Sequence, residues 1–259
     1  MHSLEEKKEQ FARLLNIMSD LRKQCPWDKE QTFESLRTLT IEETYELAEA
    51  ILNDNKVEVS KELGDLLLHI VFYAEMGSET GDFDIVDVID KLCTKLIYRH
   101  PHIYGDVDAN NAEKVKQNWE DLKLKEQGGN KSVLAGVPPS LPALVKAHRI
   151  QDKARSAGFD WDVKEQVWDK VKEEIGELQD EIAVMDKDKM EAEFGDLLFS
   201  IINAARLYDI NPENALERTN RKFIKRFNYL ESQTIAKGLD LKKMSLEEME
   251  AIWQETKKE

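Results

Sequence analysis

The stretch that decides the fold runs from Lys172 to Leu198 and reads KEEIGELQDEIAVMDKDKMEAEFGDLL. Within it, Glu174 and Glu177 stand three apart, as do Glu193 and Asp196, and sixteen positions separate the two pairs. Acids three apart on an α-helix share one face. Each pair therefore aims two carboxylates at one place, and QDEIAVMDKDKM between them is long enough to finish one helix, turn and start another. An antiparallel helix pair would gather all four carboxylates. Such an oxygen-only set suits Mg²⁺, with Mn²⁺ as a substitute, rather than zinc.

A lone ExxE on a helix is ordinarily a solvated face, above all in a chain where acids number 52 of 259 residues. Here the pattern occurs twice, because Glu43, Glu46, Glu62 and Asp65 repeat the same three, sixteen, three spacing. Their neighbours match as well: Glu42 with Glu173, Leu47 with Leu178, Ile51 with Ile182, and the GDLL run at Gly64 with that at Gly195. Every match lies at one offset of 131 residues. Solvated faces have no physical reason to keep such spacing, so the chain contains an internal duplication.

The duplication predicts two tandem domains, residues 1–127 and 143–259, joined by a linker over 128–142. That linker falls in GGNKSVLAGVPPSLPAL, which holds three of the six prolines and three of the eleven glycines. Two domains also fit the length. Apolar residues at 41% support real cores, and no apolar run approaches the roughly 18 residues that span a bilayer. MHSLEEKKEQ carries both signs of charge and lacks the apolar centre of a signal peptide. Cys25 and Cys93 are too few for a disulfide framework. The expected compartment is therefore the reducing cytoplasm. A net charge of −15 argues against binding a nucleic-acid backbone, which needs basic surface to release counterions.

Periodicity predicts helices over residues 4–24, 35–52, 57–76, 84–98, 112–126, 144–156, 168–184 and 189–208. CPWDKEQT breaks the first of them at Pro26, and Pro212 opens a further helix at its first turn. Ser245 to Glu248 has the form of a capping box for a last helix containing Trp253. ELGDLLLHIVFYAEM is apolar nearly all round, the mark of a helix buried in a bundle. Gly64 and Gly195 cost helix stability, about 1 kcal/mol against Ala, which close approach by another helix or a ligand would explain. No strand pattern is convincing. The expected fold is all-α.

Chemistry on phosphate needs cations for the non-bridging oxygens and a surface for the base. Lys222 and Arg226 lie four apart on one helix face, as do Lys95 and Arg99 in the first half. Lys189 lies one turn before Glu193 and can reach the same mouth. Trp253, in WQETK, is matched by Trp119, in WEDLK, and a Trp face stacks on any nucleobase.

Taken together, these motifs resemble MazG, a bacterial nucleoside triphosphate pyrophosphohydrolase with two tandem all-α domains. The resemblance rests on CPWDKEQT, EETYE with ELGD, RHPHIYGD, SVLAGVPPSLPAL, and EEIGE with EFGD, and spans essentially the whole chain. It implies hydrolysis of NTPs and dNTPs between the α and β phosphates, Mg²⁺ dependence, a four-helix core per catalytic unit and a homodimer. Carried over by position, Glu174, Glu177, Glu193 and Asp196 are the metal ligands. Lys189, Lys222 and Arg226 hold phosphates, Trp253 contacts the nucleotide, and Lys170 and Glu173 lie where the family contacts nucleotide. The chain departs from the family's usual QTH with Gln31-Thr32-Phe33.

Four acids facing a triphosphate of about four negative charges repel strongly at reduced dielectric, so two or more Mg²⁺ ions are required, about 4 Å apart as in two-metal sites. The predicted nucleophile is a Mg-bound water attacking the α-phosphorus, with Glu173 a candidate to orient or deprotonate it. At the constant offset Lys189 becomes Glu58, an acid in place of a phosphate-facing cation. The C-terminal half is therefore the expected main catalyst. Glu43, Glu46, Glu62 and Asp65 form a second site, weaker or structural. A nucleotide- or metal-sensing scaffold is the rival reading. A di-iron carboxylate oxidase is disfavoured because no histidine follows an acid at ExxH spacing, and an EF-hand because no DxDxDG loop exists.

Overall fold

The computed structural model describes residues 1–107 and 132–256, together with Asn111, Lys114, Val115, Asn118, Trp119 and Leu122. Among the described residues the ordered elements are helices and short 3₁₀ turns, and there is no strand, as the periodicity required. The chain divides into two compact units, Met1–Asn111 and Ala112–Glu259. The helix expected over 112–126 lies largely outside the described residues, as does the first part of the expected linker.

In the first unit α1 (Leu4–Gln24) opens on a capping box between Ser3 and Glu6. Pro26 takes the first position of α2 (Pro26–Glu30), where its missing N–H costs nothing. A second capping box, Thr32 with Ser35, starts α3 (Phe33–Leu52). Asn53, Asp54 and Asn55 turn the chain into α4 (Lys56–Thr80), with Asp54 at a positive φ of 52°. Gly81, at φ 73°, ends α4, and Asp84 caps α5 (Ile85–Arg99), which is followed by α6 (Pro101–Tyr104). The core forms where α1, α3 and α4 meet, around Met18, Leu36, Val71, Phe72 and Met76. Arg22 fastens this corner: its guanidinium donates to both oxygens of Glu79, at 2.7 and 3.0 Å, and to the carbonyls of Asp28 and Gln31.

The second unit repeats the plan. Val133–Gly136, within the proline-bearing segment, is a 3₁₀ turn packed on α7 (Ala143–Ser156). The acid hairpin is α8 (Val167–Val184) and α9 (Lys187–Leu207), joined only by Met185 and Asp186. Met185 adopts the left-handed conformation at φ 59°, and the Asp186 side chain caps α9. α10 (Pro212–Ala236) packs on α7, and α11 (Leu246–Glu255) packs on α10. Val167, Val171 and Ala204 centre the core beside the hairpin, with Leu197 and Leu207 against them. At its open end the Trp168 indole donates to the Tyr208 hydroxyl at 3.1 Å.

Two expectations need correction. The run ELGDLLLHIVFYAEM is buried on one face only: Val71, Phe72, Ala74 and Met76 are inside, while Leu63, Leu67 and Ile70 are exposed. Likewise, a Cβ placed at Gly64 or Gly195 would meet no heavy atom within 4 Å, so among the described residues no helix makes the close approach their presence suggested. In both cases the sequence marks a surface whose cover is not supplied by the unit itself.

Candidate metal centre and its surroundings

The antiparallel hairpin brings three of the four acids together. On α8, Glu174 is buried at 5% exposure, and Glu177 sits one turn on. Glu193 meets them from α9, and ligand oxygens of Glu174, Glu177 and Glu193 lie within 4.8 Å of one another. Asp196, a turn beyond Glu193, is exposed and lies outside that triad. In the first unit the corresponding triad is Glu43, Glu62 and Asp65, with Glu46 exposed outside it. Each fourth acid is thus set one turn from its cluster, so the expected fours appear as threes.

Within each cluster the carboxylates repel one another, which a cation could relieve. Desolvation and the charges of Glu174, Glu193 and Glu173 push the Glu177 carboxyl above the usual carboxylate range, although Lys170 opposes them. Desolvation and the charges of Asp65, Glu46 and Glu62 do the same to Glu43. Glu62 is 3% exposed, and its Oε2 has no hydrogen-bond partner. A buried carboxylate oxygen left bare is costly. A hard divalent cation fits all of these features, since it relieves the repulsion and takes oxygen ligands only.

Each cluster meets one lysine. The Lys170 ammonium lies 2.8 Å from Glu173 and 2.7 Å from Glu174, and these two carboxylates raise its pKa. In the first unit Lys61 lies 2.9 Å from Glu62. Lys189 points elsewhere, toward Glu181 at 3.7 Å and Asp186 at 3.9 Å. Its counterpart Glu58 pairs with Lys61 at 3.9 Å. Lys222 is exposed on α10, and no ion pair joins it or Arg226 to the acids among the described residues. Arg226 instead lies over the Trp253 ring, 6.0 Å from its centroid, while Phe223 meets the same ring at 5.1 Å. The predicted residues thus form two groups: Lys170 with the acids, and Arg226 with Trp253. Lys95 is exposed on α5, whereas Arg99 at its last turn is half-buried.

The sequence reading missed a set of residues beside this centre. Gln151 and Arg206 are buried polar groups, each 6% exposed, and the Arg206 guanidinium donates to both oxygens of the more exposed Asp160 and to Asn203. Burial pushes the Asp160 carboxyl up, but Arg206, the Trp161 backbone N–H and Arg155 together hold it below the usual carboxylate range. The one available signal was GFDWD, whose Trp-Asp pair echoes CPWD.

No helix among the described residues is long and apolar enough to cross a membrane. The model of the MazG nucleotide pyrophosphohydrolase domain matches residues 31–104 and 164–230, which contain both acid hairpins. A nucleoside triphosphate pyrophosphohydrolase of Escherichia coli K12 is 44% identical over 257 residues, covering 96% of this chain and 98% of that protein. The nucleoside triphosphate pyrophosphohydrolase/pyrophosphatase MazG of Thermotoga maritima is 44% identical over 250 residues, 95% of each chain. An uncharacterized protein of Bacillus subtilis, YabN, is 43% identical over 252 residues, 96% of this chain but 52% of its own length. Duplicated acid hairpins, end-to-end similarity and two family-model segments that enclose those hairpins agree: this chain belongs to the MazG family of nucleotide pyrophosphohydrolases.

Proposed function

We propose that the chain hydrolyses nucleoside triphosphates, both NTPs and dNTPs, between the α and β phosphates to a monophosphate and pyrophosphate. The observation that carries this reading is the carboxylate triad Glu174, Glu177 and Glu193 on a hairpin of this family. Those three residues, with Asp196 one turn away, would hold Mg²⁺, or Mn²⁺ in its place. The ion would supply charge neutralisation for the phosphates and a more acidic bound water. Glu173 is exposed at the rim, where its carboxylate can orient or deprotonate the attacking water. Lys170 exchanges its carboxylate partners for phosphate oxygens as cations enter the cluster. Lys189, Lys222 and Arg226 hold the remaining phosphate charge, with the leaving pyrophosphate stabilised by cations rather than by solvent. Trp253 contacts the nucleotide.

The catalytic domain is residues 143–259, the segment 128–142 is its linker, and residues 1–127 carry the second site. Glu43, Glu46, Glu62 and Asp65 there bind metal, but Glu58 replaces the cation at Lys189, so the site is weaker or structural. The working form is a homodimer, which the exposed apolar row Val86, Ile89, Leu92 and Leu96 on α5 supports. Cys25 and Cys93 are unpaired, in keeping with the cytoplasm.

Pyrophosphate release from a panel of NTPs and dNTPs with Mg²⁺ tests the reading. Wild type and Glu43→Gln should release it, and Glu174→Gln should lose at least about a hundredfold in rate. Loss in Glu43→Gln alone would move the chemistry to the first half. No release from any nucleotide by wild type would reject the activity.

A further inference from the structure

A cavity of about 600 Å³ opens in the second unit beside the acid triad, lined by Gln151 and Ala154 of α7, Phe159 and Trp161 of the following turn, and Phe199 and Arg206 of α9. That volume lies in the range of small-molecule sites. Lys170 also lines it and reaches Glu174 at 2.7 Å, so cavity and triad share a wall. Gln151 is only 6% exposed, and its amide orientation is fixed because Nε2 donates to the Phe199 carbonyl at 2.7 Å. Its Oε1 is buried with no partner. The Arg206 guanidinium is taken up by Asp160 and Asn203, so the floor presents little free positive charge to attract phosphate. Phe159, at 84% exposure, and Trp161 offer aromatic surface at the rim.

Aromatic faces, a neutralised floor and one bare acceptor are what a planar heterocycle with an N–H edge requires. We propose that this cavity is a nucleobase subsite, entered by the base of a nucleotide whose phosphates lie on the triad, and that Gln151 Oε1 accepts from an exocyclic amino group. This rests on the hydrolytic reading above. Trp253, already engaged by Phe223 and Arg226, then meets the nucleotide outside the base edge. The subsite favours adenine, cytosine and guanine over uracil and thymine, which carry no amino group and whose one ring N–H donor is flanked by two carbonyl oxygens that repel the Gln151 acceptor.

The test compares full-length wild type, Gln151→Leu and Phe159→Ala. For each, kcat and KM are measured with ATP, CTP, GTP, UTP and dTTP, and adenosine and uridine binding by calorimetry without metal. Gln151→Leu should cut the ATP-to-UTP ratio of kcat/KM about tenfold, through KM, and weaken adenosine but not uridine. Phe159→Ala, at an exposed site that does not threaten folding, should raise KM for every nucleotide several-fold. Unchanged base ranking and KM in both variants would overturn the subsite while leaving the hydrolytic activity standing. Should wild type turn over no nucleotide, adenosine binding weakened by both variants would still support the subsite. Adenosine that fails to bind, or binds all three proteins alike, would overturn it.

Discussion

Lys170 shows how a single residue can be read two ways. Four positions before Glu174 it is an ordinary helical ion pair, yet a second carboxylate, Glu173, holds the same ammonium at 2.8 Å, beside the triad of the second unit. On the proposed reading, a divalent ion in the triad would take over these carboxylates and release Lys170 to turn to phosphate. Gly195 carries a second lesson at this scale. Among the described residues nothing comes within 4 Å of a Cβ built there, so Gly195→Ala should raise the stability of the second unit by about 1 kcal/mol, read as a higher melting temperature. A fall in pyrophosphate release despite that gain would show that substrate or a second copy uses the space. The acid positions were legible in the sequence because i,i+3 spacing fixes a helix face without knowledge of packing. Lys189 was not: its long side chain has several acids in reach, and Glu181 and Asp186 hold it. Gln151 was invisible because a polar residue beside Asp152 and Lys153 breaks no apolar period.

Among the elements, the turn between α7 and α8 is held by Asp160 bonded to the 6%-exposed Arg206 of α9. Only the Arg206 end of this ion pair is buried, so weakening its partner by Asp160→Asn should cost about 2 kcal/mol at neutral pH. Because the Asp160 pKa is depressed in the fold, its contribution is present above the ordinary aspartate pKa and is lost as pH falls through the folded value. Melting curves of wild type and Asp160→Asn should therefore converge below about pH 4. A constant gap down to pH 3 would contradict the assignment. Helix positions themselves were read closely, since capping boxes at Ser3, Thr32 and Ser245 mark their starts in the sequence. What periodicity could not say is where cover comes from. An all-round apolar helix such as α4 announces two covered surfaces, but not that its own unit supplies only one.

For the whole molecule, the open apolar faces recur. On α5 no residue is buried, and Val86 is 67% exposed, while on α9 Leu198 is 58% exposed. Contiguous apolar surface of this kind marks an interface. Sedimentation at micromolar concentration should give a dimer, and Leu92→Glu on the α5 row should shift it toward monomer. A wild-type monomer would mean that another partner covers the row. The duplication was legible at this scale from one constant offset, whereas the role of each copy was not, because the sequence repeats all four acids while the fold gathers Asp65 into one triad and Glu177 into the other. One feature of those triads reaches into how the protein comes to exist. Only Met185 and Asp186 separate α8 from α9, so every contact among Glu174, Glu177 and Glu193 is made between near neighbours in the chain. Near neighbours meet quickly, since little loop entropy is lost in closing them. If the triads bind metal as proposed, each half would need no finished protein to begin its ion site: newly made chain would be able to chelate as soon as one hairpin had zipped, and the bound ion would lock that early piece against reopening.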